Sequence, residues 1–297
     1  MKSNRFKLIL LAGTLLAAPL TQADELDFFR ELLFEAKTGT SLGAFQSVPA
    51  SIRHGGKISK SSLSAEAGVF YLNPSETYIS ILELGFARVN YHFSDVPAPF
   101  SAVDKASFFT WQEYVYDHSQ GRAVAGTASL ELNAADTTAF SHGLTFTLGL
   151  GAKQYFSRDE FVWLGAVTIY SPLRERMYYL PALVVNWNLA DNLKLNVSNG
   201  VELIWKIDKE ERWQFSCKAS YELGVFQIEK RVGWQTDWIP VDFKLEYYLT
   251  KRFYVAGTIS VLAWQRYRRW ERGHEQDATE FTTDPTIAFA IKSGFKF

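Results

Sequence analysis

The last thirteen residues, Pro285 to Phe297, alternate between apolar side chains and polar or small ones. Successive side chains of a β-strand point to opposite faces, so this pattern predicts a strand with one apolar and one polar face. A half-buried strand of a soluble β-sandwich can show the same alternation, but such a strand rarely ends its chain on an aromatic residue. The apolar face carries Ile287, Phe289, Ile291, Phe295 and Phe297, and the polar face includes Lys292 and Lys296.

A terminal Phe preceded by alternating apolar residues resembles the closing strand of a bacterial outer-membrane β-barrel. The resemblance implies an all-β, closed, antiparallel transmembrane barrel over residues 38–297, in the outer membrane of a Gram-negative cell. It also implies that Phe295 and Phe297 form the signal read by the barrel-assembly machinery, and that periplasmic chaperones and outer-membrane lipid are partners. The family is large, and motifs of any characterised transporter or enzyme are missing, so the resemblance leaves the activity open.

The N-terminus has the features of an export signal. Lys2, Arg5 and Lys7 precede an apolar run from Leu8 to Leu20, and small residues before Asp24 form a plausible cleavage site. A single membrane anchor would need about 20 apolar residues, and this run is shorter. Residues 1–23 are therefore predicted to be a cleaved signal peptide.

Residues 24–37 depart from the strand period. Leu26, Phe29 and Leu33 fall at helical spacing, with acidic residues at the start of the segment. The pattern predicts a short amphipathic helix at the periplasmic mouth, and a poorly ordered leader is the alternative.

The composition excludes several other classes. Although 47% of the residues are hydrophobic, no later segment approaches 18 uncharged apolar residues, which excludes helical membrane spans. A barrel instead hides its apolar face in alternation. The net charge of −1 gives no sign of nucleic-acid binding. Cys217 is the single cysteine, and no Cys/His cluster predicts a metal or a cofactor.

The alternation predicts about twelve strands, with ten to fourteen as the range. Without residues 1–23, the 297-residue chain has room for twelve strands at about 23 residues each, connections included. Gly224–Pro240 is ambiguous between a long loop and a further hairpin, and Ala106–Tyr116 has aromatics on both faces. Trp264–Asp284 is predicted to be a charged, aromatic extracellular loop. Phe140–Tyr155 and the stretch from Leu195 to Trp205 are each predicted to be a single strand.

For some strands, the cost of burying a charge in hydrocarbon decides which face points outward. In Thr77–Phe93, turning Ile79 and Ile81 outward would also put Glu83 into hydrocarbon, which is costly. Tyr78, Leu82, Leu84 and Phe86 are therefore predicted to face out and Glu83 to face the lumen. In the segment after Glu160, the outward residues are predicted to be Phe161, Trp163, Val167 and Ile169.

The inward positions collect charges of both signs. Such a density suits a solvated pore wall or a salt-bridged filling of a narrow barrel. The predicted lumen-facing charges are Glu83, Glu131, Lys153, Glu202, Lys206, Lys218, Glu222, Asp242, Lys244, Glu246, Lys292 and Lys296.

A second candidate surface lies in the predicted last loop. There, arginines interleave with Tyr267 and Trp270, and guanidinium groups pair well with the phosphates of lipopolysaccharide. The alternative is that neighbouring acids neutralise a solvated loop. The possible lipopolysaccharide contacts are Arg266, Arg268, Arg269 and Arg272.

An enzyme would need a nucleophile and a base on one face. Ser141 and His142 are adjacent and therefore point to opposite faces of a strand. Ser198-Asn199-Gly200 resembles the motif of outer-membrane phospholipases, but Asn196 stands where the His would be expected. The chain is therefore predicted not to be an enzyme, and to form a small or gated pore for passive passage of small polar solutes. A charge-plugged structural or surface-interaction barrel is the alternative, and a lipid hydrolase comes third.

Overall fold

The computed structural model describes residues 39–53, 55–136, 143–157, 160–173, 176–229, 231–272, 274 and 277–296. The predicted signal peptide, the predicted helix at 24–37 and Phe297 lie outside these residues. The described residues form a single all-β sheet. The described residues contain no helix that is long and apolar enough to cross a lipid bilayer.

Fourteen wall strands make up the sheet, and three of them are interrupted, so that each has two segments, a and b. The strands are β1a (Gly39–Ser47), β1b (Ala50–Ser51), β2 (Lys57–Leu72), β3 (Tyr78–Ser94), β4 (Ala102–Asp117), β5 (Arg122–Ala135), β6 (Leu144–Tyr155), β7 (Phe161–Ser171), β8 (Arg176–Ala190), β9 (Leu193–Ser198), β10 (Gly200–Lys206), β11a (Trp213–Ala219), β11b (Glu222–Glu229), β12 (Val232–Tyr248), β13 (Phe253–Glu271), β14a (Thr279–Thr283) and β14b (Thr286–Lys296).

Antiparallel pairing runs between sequence neighbours all the way round and closes the sheet into a barrel. The closing ladder joins β1a to β14b, from Gly39 opposite Lys296 to Ser47 opposite Ala288. The predicted closed antiparallel barrel is confirmed, and the terminal strand does close it. The barrel has fourteen strands rather than the predicted twelve, at the upper end of the predicted range of ten to fourteen.

The strand count was missed partly at a hairpin that the alternation cannot reveal. Residues 193–206 form two short strands, β9 and β10, which reverse at Asn199 with Ser198 opposite Gly200. Directly opposed residues of a hairpin share a face, so Leu195, Val197, Val201 and Leu203 all stay on the outer side, as in one continuous strand. Gly200 permits the reversal with a φ of 125°.

One segment that the sequence left open is a hairpin, and one segment predicted as a loop is in fact strand. Gly224–Pro240 forms most of the hairpin between β11b and β12. Trp264–Asp284 was predicted to be a loop, which is wrong: β13 continues to Glu271, and β14a pairs with it. The strand predicted from Phe140 begins at Leu144 among the described residues.

Large apolar side chains cover the outer face of the barrel. On β3, Leu82, Leu84 and Phe86 are exposed on this face, which confirms the outward face predicted for that strand.

The outward face predicted for β7 is wrong. Trp163 is 1% exposed and lies inside, while Leu164 and Tyr170 are exposed on the outer face.

The inward ring of Trp163 fits because glycines leave space for it. A Cβ on Gly151 or Gly165 would collide with this ring, and the indole N–H donates to the carbonyl of Ala125 at 3.1 Å. Both faces of β7 are apolar, so alternation could not decide between them.

The two ends of the barrel differ. One end, the terminal end, carries Gly39, Lys296 and short turns such as residues 73–77 and 118–121. The opposite end, the loop end, carries longer connections, such as residues 95–101.

A row of strand irregularities crosses five neighbouring strands below the loop end. Pro49 interrupts β1, Pro285 interrupts β14, and Pro240 lies at a shift in register within the β12–β13 ladder. The row continues to the break in β11, where the N–H of Ser220 donates to the carbonyl of Pro240 at 3.2 Å. Proline removes a ladder donor and a bulge bends its strand, so the sheet bends along this row.

Beyond the row, β11b leaves the wall and crosses the interior. Gln227 pairs with Ala134 of β5 in parallel, although β5 and β11 are far apart in the wall. The side-chain N–H of Asn133 also donates to the carbonyl of Val225 at 3.3 Å. This contact closes the loop end into a smaller ring of nine strands: β11b, β12, β13, β14a, β1b, β2, β3, β4 and β5.

The tight reversal between β9 and β10 gives a testable prediction. A Cβ on Gly200 would collide with the carbonyl of Ala219 and would sit at a φ that L-residues avoid. Gly200→Ala should lower the free energy of unfolding by about 1–3 kcal/mol, measured by denaturant titration. Gly257→Ala is the control, because nothing lies within 4 Å of its added Cβ. Equal stabilities of the two variants would contradict the strained turn.

Candidate functional site: the barrel interior

The loop end of the interior is filled by an apolar core. Phe226 of β11b is 0% exposed, and its ring centroid lies 5.3 Å from that of Phe100. Phe100 also packs edge-on against Trp234 at 5.3 Å, and Tyr267 stacks on Phe281 at 4.9 Å. The buried members are Ala50, Ile58, Tyr91, Phe100, Val103, Ala135, Phe226, Ile228, Val232, Trp234 and Tyr267, and together they are called the plug.

A buried lysine lies beneath the plug. The ammonium of Lys60 is 4.7 Å from the ring centroid of Trp238 and 5.1 Å from that of Tyr267. Trp238 meets Phe45 of β1a edge-on at 6.1 Å. These contacts between β1, β2, β12 and β13 give the plug an aromatic floor that holds a cation.

The arginines proposed for lipopolysaccharide lie mostly on β13 and have carboxylate partners. Arg266 pairs with Asp237 at 2.8 Å, Arg268 pairs with Glu280 at 2.8 Å, and the Arg269 guanidinium is 3.8 Å from Glu229. Arg272 lies in the turn after β13, and its backbone N–H donates to the carbonyl of Arg231 at 2.7 Å. The charges of Arg266, Arg268 and Arg269 are thus balanced within the protein.

Below the plug, charged side chains occupy the face opposite the exposed apolar residues. Lys244 lies between two acids, 3.1 Å from Glu246 and 3.8 Å from Glu202. Lys292 pairs with Glu66 at 2.6 Å. Lys206 pairs with Glu211 of the turn after β10 at 3.0 Å.

The remaining predicted charges lie on several strands of the barrel. Strand register puts Lys218 opposite both Glu202 and Asp242. The ammonium of Lys105 interacts with Glu131 and with Glu222, so this cluster joins β4 and β5 to the start of β11b. Glu83 lies opposite Gly68 and Phe109. The backbone of Lys296 pairs with Gly39, but its side chain lies outside the described residues.

A buried ion pair lies near the terminal end. The Lys153 ammonium is 2.8 Å from Glu113, and both side chains are almost fully buried. The hydroxyl of Tyr155 donates to the other oxygen of Glu113, and the ring centroid of Phe161 is 4.0 Å from the ammonium. The Trp111 indole N–H also donates to Glu113, at 3.1 Å. The carboxylate therefore has three donors, which offsets the cost of burying it.

Some of these residues were not among the predicted lumen-facing charges. Glu113 lies in the segment whose two faces both carry aromatics, so alternation gave it no direction. Glu66 stood at an inward position of β2, and alternation would have found it. Lys60 and Lys105 lie near strand ends, where the plug rather than the pattern determines burial.

The wall formed by β7 and β8 is apolar on its inner face as well as its outer face. Register places Val167 and Ile169 of β7 beside Leu180 and Tyr178 of β8 on the inner side. Leu180 is 49% exposed although it faces inward, so there is open space in front of it. The interior therefore has a charged wall on β10–β14 and an apolar wall on β7–β8.

The ladders on either side of the β9–β10 hairpin end early. The β8–β9 ladder ends at Val185 opposite Val197, and the β10–β11 ladder ends at Ala219 opposite Val201. Above these pairs, no ladder joins β8 to β11 within the part of the chain that the structure describes. The wall has a notch above Asn199.

The remaining sequence hypotheses fall in different places. Ser198-Asn199-Gly200 is the tip of the β9–β10 hairpin, and Ser141 and His142 lie outside the described residues. That the chain is not an enzyme stays a prediction. Phe295 of β14b lies opposite Thr40 and Phe253, with an exposed side chain.

No protein-family model matches this sequence, and no curated protein matches it. The solved structures that it resembles are outer-membrane β-barrel proteins. A TodX monoaromatic hydrocarbon channel mutant is 9% identical, with a TM-score of 0.46 over 89% of this chain and 92% of that one. An outer membrane channel from Pseudomonas putida F1 is 10% identical, with a TM-score of 0.43 over 93% and 100%. The KdgM porin is 10% identical, with a TM-score of 0.34 over 86% and 99%.

The buried ion pair gives a second prediction. Glu113→Gln leaves the Lys153 ammonium buried without its charge partner, and should lower the free energy of unfolding by about 3–5 kcal/mol. The double variant Glu113→Gln, Lys153→Met should recover most of that loss in a denaturant titration. Asp104→Asn is the control, because its pair with Arg88 is solvent-exposed and contributes at most about 1 kcal/mol. A double variant no more stable than the single one would contradict the coupling.

Proposed function

We propose that the chain is an outer-membrane channel for passive passage of small solutes. The outer surface supports the membrane setting. Exposed apolar side chains face outward on neighbouring strands, including Leu63, Leu84, Leu148 and Leu183. Trp187, Trp205, Trp213 and Tyr247 lie near the terminal-end limits of their strands, and Trp213 is opposite Tyr247, as in an interfacial aromatic girdle.

The orientation follows from the connections. Outer-membrane barrels have short periplasmic turns and longer extracellular loops. The terminal end, with its short turns, then faces the periplasm and the loop end faces outside. The Arg88–Asp104 pair marks the outer boundary of the apolar belt, because both residues lie on the outer face of β3 and β4.

A solvated interior carries the proposal. Ser107 and Glu131 lie on the inner face and are nevertheless exposed, and the Glu66 side chain is 55% exposed. Side chains of the inner face can reach solvent only if water fills the space below the plug. The charges of both signs on this wall suit small polar solutes, and that substrate class stays a prediction.

The plug makes the channel gated rather than permanently open. Its filling is apolar and aromatic instead of the paired charges considered from the sequence. A barrel without transport is the second candidate, and the filled loop end is the observation that favours it. Contacts with lipopolysaccharide through Arg266, Arg268, Arg269 and Arg272, and with the assembly machinery and chaperones, stay predictions.

The test of the channel is conductance in planar bilayers. The wild-type protein should give small or infrequent steps, and Phe226→Ala should increase their size or frequency because it opens the centre of the plug. Phe243→Ala is the matched control, since this Phe lies on the outer face of β12. Complete silence of wild type and Phe226→Ala, from protein shown to be folded by heat-modifiable migration, would contradict the channel.

A further inference from the structure

Two strands of the wall are too short to span a membrane. A transmembrane β-strand needs about 9–11 residues. β9 has 6 residues and β10 has 7, whereas their neighbour β8 has 15. The hairpin that β9 and β10 form therefore covers only part of the height of the wall.

The level of the hairpin tip can be estimated. The base lies at the aromatic girdle, where Leu193 is opposite Trp205. Seven residues that rise about 3.3 Å each, tilted by about 40°, reach about 18 Å. The apolar belt of such barrels is about 25 Å tall. Asn199 at the tip thus lies inside the belt, at the level of the outer leaflet.

The notch above the tip has defined edges. On one side β8 continues, with Leu183 and Tyr179 exposed on its outer face. On the other side β11b turns away from the wall to reach Ala134 of β5. Leu173, from the β7–β8 connection, packs with Val225 and Trp270 above. The notch is therefore an opening that β8 borders on one side. The tip of the β9–β10 hairpin forms its lower edge, called the floor, and the Leu173 cluster borders it above.

The floor of the opening is polar. Ser198 and Asn199 are exposed in a turn, and turn backbone without partners is costly in hydrocarbon. Lipid tails cannot form hydrogen bonds with the side chains and backbone of this turn. The opening therefore has to hold water or the polar group of a small molecule.

The wall just inside the opening is apolar. Val167, Ile169, Leu180 and Val184 lie on the inner faces of β7 and β8, and half of Leu180 is accessible from the interior. Glu222 stands at the start of β11b, near Lys105. A molecule with an apolar body and one polar group would find a surface for each part.

We infer that the notch is a second mouth, through which small apolar or amphipathic molecules pass between the outer leaflet and the barrel interior. The inference rests on the proposed channel, because a side mouth is useful only if the interior leads to the periplasm. It also explains how a barrel whose loop end is plugged admits a solute: the side route bypasses the plug.

The test measures uptake of N-phenyl-1-naphthylamine, a small apolar fluorophore, by intact cells that express the full-length protein. Leu180→Glu adds a charge to the apolar wall of the mouth and should reduce uptake to the rate of cells without the protein. Thr258→Glu is the matched control. It adds an inward carboxylate opposite Lys244, away from the mouth, and should leave uptake at the wild-type rate. Ala182→Trp narrows the same mouth without a charge and serves if Leu180→Glu does not fold.

Conductance of the same proteins separates the two proposals. Loss of uptake in Leu180→Glu with unchanged conductance supports the side mouth. Wild-type conductance without uptake above background, or uptake that neither mouth variant lowers, overturns the side mouth and leaves the channel. Uptake that the mouth variants abolish, without any conductance, supports the mouth as a route through the interior and overturns the passage of ions and polar solutes by the same route. Cross-linking between two copies of the protein through β8 is a further readout. A cross-linked dimer without uptake overturns the mouth, because a second copy then covers the opening.

Discussion

Each strand of a barrel needs backbone hydrogen-bond partners along both edges. This requirement explains the main features of the structure. In a membrane, an edge that lacks partners is costly, and closed barrels avoid it by pairing every strand along its length. Here β9 and β10 end early, so their neighbours β8 and β11 lose their partners above Val185 and Ala219. β11b meets part of this need by turning inward and pairing with β5.

The inward turn depends on the row of irregularities that runs through Pro49, Pro240 and Pro285. Proline cannot donate to a ladder, and the shifted register at Pro240 lets the sheet fold over its own interior. The nine-strand ring that results is narrow enough for side chains to fill, as in small barrels. The wider fourteen-strand part below it keeps exposed polar groups on its inner face. One chain therefore combines a filled end with a solvated cavity.

The sequence predicted what depends on alternation. The closing strand, the closed barrel and the outward face of β3 followed from the period of two and from the cost of a carboxylate in hydrocarbon. The reversal at Asn199 could not be predicted from the alternation. Opposed residues of the hairpin lie on the same face, so the apolar residues continue at every second position through the turn. Trp163 was assigned to the wrong face because β7 is apolar on both sides. The plug was missed because it depends on a contact between β5 and β11b, which are about 90 residues apart, and alternation carries no information on such distances.

The most direct test of the account is disulfide formation between Ala134→Cys and Gln227→Cys, in a Cys217→Ala background and in intact outer membranes. The two residues are register partners only if β11b crosses the interior, and a disulfide requires Cα atoms within about 7 Å. Gly224→Cys with Thr236→Cys is the positive control, because these residues are opposed within the β11b–β12 hairpin wherever that hairpin lies. Both pairs are expected to form the bond. A control pair that oxidises while the Ala134–Gln227 pair stays reduced would contradict it and return β11b to the wall.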